Sequence, residues 1–140
     1  MATKIAPCFK DKASEANKGN LSVDTMVYTI AAGDALGDVV LLRRMGEFNK
    51  YVRLRVIASA AMAAAATISV GYVSREDGGT DDPDFFGLNL DVNGTTDHAL
   101  VTVPLEVSEK HDLAITLDTD PSADAGKSYT VIAEFVCEAG

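Results

Sequence analysis

The sequence predicts an all-β protein, a two-sheet antiparallel β-sandwich of jelly-roll type with about eight strands. Four strand-like runs lie between residues 26 and 73: MVYTI, DVVLL, YVRLRVI and TISVGYV. The last two alternate with the two-residue period of half-buried strands. Turn signals recur at intervals close to the ~8–12 residues that separate strands in sandwiches and barrels. No helical segment is long enough for a βαβ crossover, which argues against a parallel sheet.

The beginning of the chain shows neither a helical nor a strand period. We predict that residues 1–22 form an extended N-terminal arm and that residues 23–140 form the sandwich domain. A segment without its own core stays mobile unless another surface holds it. The arm is therefore expected to be a disordered tail, a strand laid along its own sheet, or a clamp that reaches a neighbouring subunit.

Two strands and a loop are predicted next. Residues 24–33 form the first strand of the domain, and its inward face is Met26, Tyr28 and Ile30. The strand Asp38–Arg44 contains an unbroken apolar run, which predicts burial on both faces. Met45–Lys50 is predicted to be a loop, in which Gly46 permits a tight turn.

The run 51–57 predicts a strand with Tyr51 on the same face as the arginines. Val52, Leu54 and Val56 lie on its opposite face. In the strand after it, Ile68, Val70 and Tyr72 share one face. The alanine-rich stretch 58–66 could form a helix by propensity, but about nine residues without caps make a marginal one. We favour a tight turn near Ser59–Met62, with Ala63–Ala66 beginning the next strand.

The second half begins with a long acidic loop at residues 74–84. Phe85 and Phe86 are predicted to form a hydrophobic plug, Asn93-Gly94 a turn, and Pro104 an edge or bulge. Further strands are predicted at 88–92, 99–107, 112–118 and 128–137. Their predicted inward residues are Leu88, Leu90, Val92, Leu113, Ile115, Leu117, Tyr129, Val131, Ala133, Phe135 and Cys137.

Length and composition indicate one globular domain without a membrane span. The chain has 140 residues, of which 47% are hydrophobic and 24% charged. It has no apolar run of about 18 residues, and its start lacks the apolar segment of a secretion signal. We therefore expect the chain to stay in the cytosol of the cell that makes it. Cys8 and Cys137 are expected to be free thiols in that reducing compartment.

The charge is unevenly distributed along a chain of net charge −9, which makes nucleic acid a poor partner. Residues 43–55 carry five basic side chains against one acid, whereas residues 56–140 carry three against fifteen. This asymmetry is typical either of ordinary solvated surface or of a molecule that docks on a charged partner or on its own copy. For the second case the predicted partner-binding residues are Lys4, Lys10, Lys12, Arg43, Arg44, Arg53 and Arg55.

The motifs of known catalytic, cofactor and metal sites are not found in the sequence. His98 and His111 lie in no zinc-binding pattern and are interpreted as surface residues beside strands. No nucleophile elbow, P-loop or dinucleotide-binding loop is present, so we predict no catalytic residue and no cofactor. The acidic loop could gather oxygen ligands for Ca²⁺ or be plain solvated surface, and the second is favoured. Its carboxylates are Asp77, Asp81, Asp82 and Asp84.

The run YTIAAGDALGDVVLLRRMGEFNKYVRLRVIASAAMAAAATISVGYVS resembles small structural proteins of tailed-bacteriophage heads. A strand, an AGD turn, a valine-rich strand, a V-x-x-x-V strand, an alanine-rich reversal and a T-I-x-V-G-Y strand follow one another as in that group. DDPDFFGLNLDVN and KSYTVIAEFV resemble its later strands. The resemblance covers roughly residues 24–138. Within that group the chain looks especially like the jelly-roll cement (decoration) proteins, such as that of a Bordetella-infecting short-tailed phage.

This resemblance implies a non-enzymatic virion structural protein, made in the host bacterial cytoplasm. Such proteins bind the outer surface of the phage head and cement neighbouring major capsid protein subunits. The implied partners are the major capsid protein and a second copy of the chain, in a homodimer or a trimer. The alternative is a carbohydrate- or receptor-binding sandwich, for which the 74–86 loop with Phe85 and Phe86 is the candidate.

Overall fold

A computed structural model describes residues 2–10, 21–101 and 103–137, apart from the side chains of Cys8 and Lys10. Ten strands form in this part of the chain, together with two 3-10 helices at Pro7–Lys10 and Ser122–Asp124. The strands are β1 (Thr3–Ile5), β2 (Leu21–Thr29), β3 (Val39–Met45), β4 (Asn49–Ala58), β5 (Thr67–Ser74), β6 (Asp82–Asp91), β7 (Asp97–Ala99), β8 (Leu105–Val107), β9 (His111–Leu117) and β10 (Ser128–Cys137).

The strands form two five-stranded sheets that pack as a sandwich, so the predicted fold class is confirmed. Sheet A has the order β1-β3-β9-β5-β6, and sheet B has the order β2-β10-β4-β7 with β8 also paired to β4. The pair β1–β3 is parallel, whereas the other described pairs are antiparallel. From β2 to β5 the chain changes sheet at every connection, as in a jelly roll.

Most of the predicted inward faces form the core between the sheets. In β2, the residues from Leu21 to Thr29 are exposed and buried in turn, because one face of the strand meets solvent and the other meets the core. β9 is buried on both faces, since it lies between β3 and β5 in the middle of sheet A. The core includes Met26, Tyr28, Ile30, Leu54, Val56, Ile68, Val70, Leu113, Ile115, Leu117, Tyr129, Val131, Ala133 and Phe135. Cys137 is only half-buried.

The predicted face of Tyr51 is wrong, because β4 contains a β-bulge. Tyr51 pairs with Phe135 and Arg53 pairs with Glu134, so Val52 has no counterpart on β10. An extra residue in one strand reverses the inside–outside order beyond it. Tyr51 therefore lies in the core with 0% exposure, whereas Val52 is half-buried.

The alanine-rich stretch forms no helix, but its predicted turn lies too early. The turn is at Ala63–Ala66, where the Ala66 amide donates to the Ala63 carbonyl over 3.1 Å. Ala65 has a φ of 62°, which ends the extended backbone, and β5 begins only at Thr67. Met62 is buried before this turn and fills the end of the core.

Three further burial predictions are wrong. Val39 and Leu41 are half-buried rather than buried, so β3 is fully buried only on its inward face. Leu88 is 62% exposed. It lies between Gly87 and Leu90, where the β5–β6 register shifts and the strand turns its side chain outwards. The strand predicted at 99–107 is divided, since β7 ends at Ala99 and β8 begins at Leu105. Pro104 lies just before β8 at the edge of sheet B, as predicted.

The start of the chain is attached to sheet A. β1 pairs with β3 between Thr3 and Val39, and the Ala2 amide donates to a carboxylate oxygen of Asp38 over 2.8 Å. Residues 11–20, which make up the second half of the proposed arm, lie outside the described residues. The division at residue 22 between arm and sandwich therefore stays a prediction.

Candidate docking surface

The outer face of sheet B carries apolar side chains around a groove of about 740 Å³. At its edge, β2 exposes 53% of Leu21, 51% of Val23 and 43% of Val27 to solvent. The apolar lining of the groove includes Val23, Val52, Ala99, Val101, Pro104 and Ile132. A face of this kind is typical of a contact surface, because scattered apolar residues rarely gather around one groove on a monomer.

Two of the predicted partner-binding arginines lie in this groove. The Arg53 side chain is 77% exposed, and its Nε lies 3.8 Å from the Glu134 carboxylate. The Arg55 side chain is 52% exposed, and its Nε donates to the Asp97 carboxylate over 2.8 Å. Arg55 also holds the pKa of Asp97 below its usual value by that hydrogen bond. Both guanidinium groups stay accessible, since exposed ion pairs of this kind are weak and exchange readily.

Two other predicted residues, Lys4 and Arg44, lie on sheet A and therefore outside the groove. Lys4 Nζ is 3.9 Å from carboxylate oxygens of both Asp34 and Asp38, which are almost fully buried. The Arg44 guanidinium lies over the ring of Phe9, 5.4 Å from its centroid, and its side chain is 61% exposed. Lys4 thus ties β1 to the body of the sandwich, whereas Arg44 remains accessible to a partner.

Arg43 lies in the interior of the sandwich rather than on its surface. Its side chain is 9% exposed, and its Nη1 lies 3.3 Å from a carboxylate oxygen of Asp24 on the opposite sheet. This is a buried ion pair that bridges the two layers of the sandwich. The Lys10 side chain and the whole of Lys12 lie outside the described residues, so their contribution to docking stays a prediction.

A second polar bridge joins the sheets near the same end of the sandwich. Tyr51 Oη on β4 lies 2.6 Å from His111 Nε2 on β9. The prediction that His111 is a surface residue is therefore wrong: its exposure is 0%. The histidine pairs with Met45 on one side and with Ser74 on the other, so both neighbouring strands cover it. His98, by contrast, is half-buried at the edge strand β7.

Burial sets the protonation state of this histidine. It lowers the pKa of His111 to about 4, and the nearby Arg75 charge acts in the same direction. A sequence signal for this position existed, because His111 has the same parity as Leu113, Ile115 and Leu117. The predicted strand begins at residue 112, which places the histidine outside its inward face.

The acidic loop is held by hydrogen bonds from its own chain. The Ser74 amide donates to Asp81 over 2.8 Å, and the Lys110 amide donates to Glu76 over 3.0 Å. Desolvation and the neighbouring Asp84 raise the pKa of Asp82. In the described ranges, no three His, Cys, Asp or Glu side chains are arranged to hold a metal ion.

Phe85 and Phe86 form part of an aromatic cluster rather than an exposed platform. Phe86 is 7% exposed and packs edge-on against Tyr51, with 5.0 Å between ring centroids. Phe85 is half-buried and packs against Tyr72 at 5.3 Å. The predicted hydrophobic plug is confirmed, because Phe86 belongs to the core and Phe85 packs against it.

The chain was compared with known families, curated proteins and solved structures. No family model matches it, and no curated protein matches it significantly. No helix among the residues described in the structure is both long and apolar enough to pass through a lipid bilayer.

Solved structures of phage capsids contain chains with a similar fold. A chain of the capsid of Ralstonia phage GP4 has a TM-score of 0.74 and 15% identity, with 99% of each chain covered. A chain of the acidic stable capsid of Helicobacter pylori bacteriophage KHP30 has a TM-score of 0.59 and 9% identity, over 87% of this chain and 91% of that one. A chain of the cyanophage Pam1 capsid has a TM-score of 0.59 and 12% identity, over 87% and 88%. At these identities the similarity establishes a shared fold.

Proposed function

We propose that this chain is a non-enzymatic structural protein of a phage virion, which binds the outer surface of the head and cements neighbouring major capsid protein subunits. The observation that carries the proposal is the full-length similarity to a chain of the Ralstonia phage GP4 capsid, which covers 99% of both chains. Because the alignment spans nearly the whole of both chains, the similarity rests on the sandwich itself.

The architecture suits a protein that bears mechanical load. The chain crosses repeatedly between the sheets, so the two layers cannot separate without breaking several strand pairs. Two buried polar bridges, Asp24–Arg43 and Tyr51–His111, add specific contacts between the layers. A rigid body of this kind transmits force between the subunits that it contacts without deforming at its core.

The groove on sheet B is the surface that we assign to docking. Its apolar lining supplies area to bury, while Arg53 and Arg55 supply exposed positive charge on an acidic chain. We infer that a capsid protein segment with apolar and acidic residues binds there. Lys4, Lys10, Lys12 and Arg44 are proposed to contribute to docking separately from the groove, since Lys4 and Arg44 lie on sheet A. A homodimer would place two such grooves on the lattice and gain affinity through avidity.

The direct test mixes the purified chain with phage heads that lack it, followed by imaging of the decorated shells. We expect ordered density that bridges capsomers on the outer surface. Arg53→Gln should weaken binding and reduce its dependence on salt, because an exposed charge at the interface is removed. Lys110→Gln is the matched control, since it removes one charge from the turn before β9, outside the groove. Heads that remain undecorated at saturating protein concentrations would contradict the cement role.

A further inference from the structure

The buried histidine connects the core to a surface loop through fixed hydrogen bonds. His111 Nδ1 lies 2.7 Å from the carbonyl oxygen of Glu109, and its Nε2 lies 2.6 Å from Tyr51 Oη. A carbonyl oxygen can only accept, so Nδ1 carries the proton and donates it. Nε2 is therefore the acceptor, and the Tyr51 hydroxyl donates to it. The neutral ring is fully satisfied in one tautomer.

The peptide that accepts from His111 is also the anchor of the acidic loop. The Arg75 amide donates to the Lys110 carbonyl over 2.8 Å, and the Lys110 amide donates to Glu76 over 3.0 Å. Glu109 additionally accepts a hydrogen bond from the Ser74 hydroxyl. The orientation of His111 thus fixes residues 109–110, and these residues hold the start of the acidic loop at 75–81.

We propose that Tyr51 and His111 form an acid-sensitive latch between the sheets, and that protonation of His111 loosens both this end of the sandwich and the acidic loop. A proton added at Nε2 would point at the hydroxyl proton of Tyr51, so the hydroxyl must turn and lose the acceptor that it has now. The resulting imidazolium would be charged inside the core, where it has no access to water.

The groups around the ring make protonation unfavourable on balance. Those that face it are Tyr51 from β4, Tyr72 from β5, Arg75 from the loop after β5, and Glu109 from the turn before β9. β3 presents the neutral Met45 beside it. Glu109 favours the imidazolium, but burial and Arg75 oppose it and lower the pKa from 6.5 to about 4. The unfolded chain therefore takes up the proton first as the pH falls.

Urea unfolding of the isolated protein tests the latch without any capsid, so its outcome is independent of the cement role. With pKa values of 6.5 unfolded and about 4 folded, His111 alone raises the unfolding equilibrium constant about 60-fold between about pH 7 and about pH 4.5. The wild type and the control variant His98→Gln should both show this pH dependence of the unfolding equilibrium. His111→Gln should be less stable at neutral pH and should lack it, because glutamine does not titrate.

Two measurements on the wild type keep the proposal testable if His111→Gln does not fold. Ring-nitrogen NMR should show the Nδ1–H tautomer at neutral pH and no titration of His111 above about pH 5. Hydrogen exchange should show that the Arg75 and Lys110 amides lose protection in acid, relative to amides in the middle of β10. The latch would be overturned if His111 titrated near pH 6.5, or if the His111→Gln variant kept the whole pH dependence of unfolding. It would also be overturned if the amides that hold the acidic loop stayed equally protected from exchange in acid.

Discussion

Replacement of Arg43 by methionine should destabilise the protein far more than the same replacement at an exposed arginine such as Arg53. The Arg43–Asp24 pair is buried between the sheets with 3.3 Å between nitrogen and oxygen, and Arg43 Nε has no hydrogen-bond partner in the described structure. At an effective dielectric constant of about 20, charges at that distance attract by about 5 kcal/mol. Desolvation offsets much of this gain, so the pair contributes little net stability, whereas loss of Arg43 alone removes the positive charge that faces the buried Asp24 carboxylate.

The expected cost of Arg43→Met is therefore about 3–5 kcal/mol. In urea, where small proteins lose about 1–3 kcal/mol of stability per molar denaturant, this moves the unfolding midpoint by more than about 1 M. The matched control is Arg53→Met, which removes the same side chain from an ion pair that is 77% exposed at the arginine. That substitution should cost less than about 1 kcal/mol.

The double variant Asp24→Leu with Arg43→Met completes a thermodynamic cycle. Removal of both charges fills the site with apolar atoms, so most of the lost stability should return. Equilibrium unfolding of the four proteins, followed by far-UV circular dichroism at neutral pH, gives the coupling energy. Equal costs for Arg43→Met and Arg53→Met, or a double variant as unstable as the sum of its singles, would refute the account of a buried pair.

Two further substitutions probe the core and the close approach of β6. Phe86→Ala should cost about 3–5 kcal/mol in chemical denaturation, because it leaves a cavity beside Tyr51, and Phe85→Ala should cost less since Phe85 is only half-buried. Equal costs would contradict the packing described for the cluster. Gly71→Ala should lower the melting temperature, because its methyl group would collide with the Asp82 carbonyl, whereas Gly33→Ala meets no atom within 4 Å and serves as the control. A Gly71 variant as stable as the control would show that β6 shifts freely.

The sequence was sufficient to predict the strands whose alternation is uninterrupted. In β10, and in β2 from Met26 onwards, every second residue is apolar and faces inwards, and these strands pair without a register shift from Leu21–Val136 to Thr29–Ser128. Their inward faces could therefore be read by counting. The groove could not be found in this way, because Val52, Val101 and Ile132 come from distant parts of the chain and meet only in the folded sheet.

Two of the sequence predictions failed where the strand alternation is interrupted, and each interruption has a local cause. The bulge in β4 inverted the expected position of Tyr51, and the left-handed Ala65 moved the start of β5. The burial of Arg43 and His111 had a different origin. A polar residue at a core position looks like surface in a sequence until its partner is known, and both partners, Asp24 and Tyr51, lie on the opposite sheet.

The bulge at Val52 links the interior of the sandwich to its candidate docking face. Before the bulge, β4 directs Tyr51 inwards to His111; after it, Arg53 and Arg55 point outwards into the groove. An unbroken strand would place all three on one face, since residues 51, 53 and 55 share parity. One inserted residue thus lets a single strand supply both a core contact between the sheets and the positive charges of the groove.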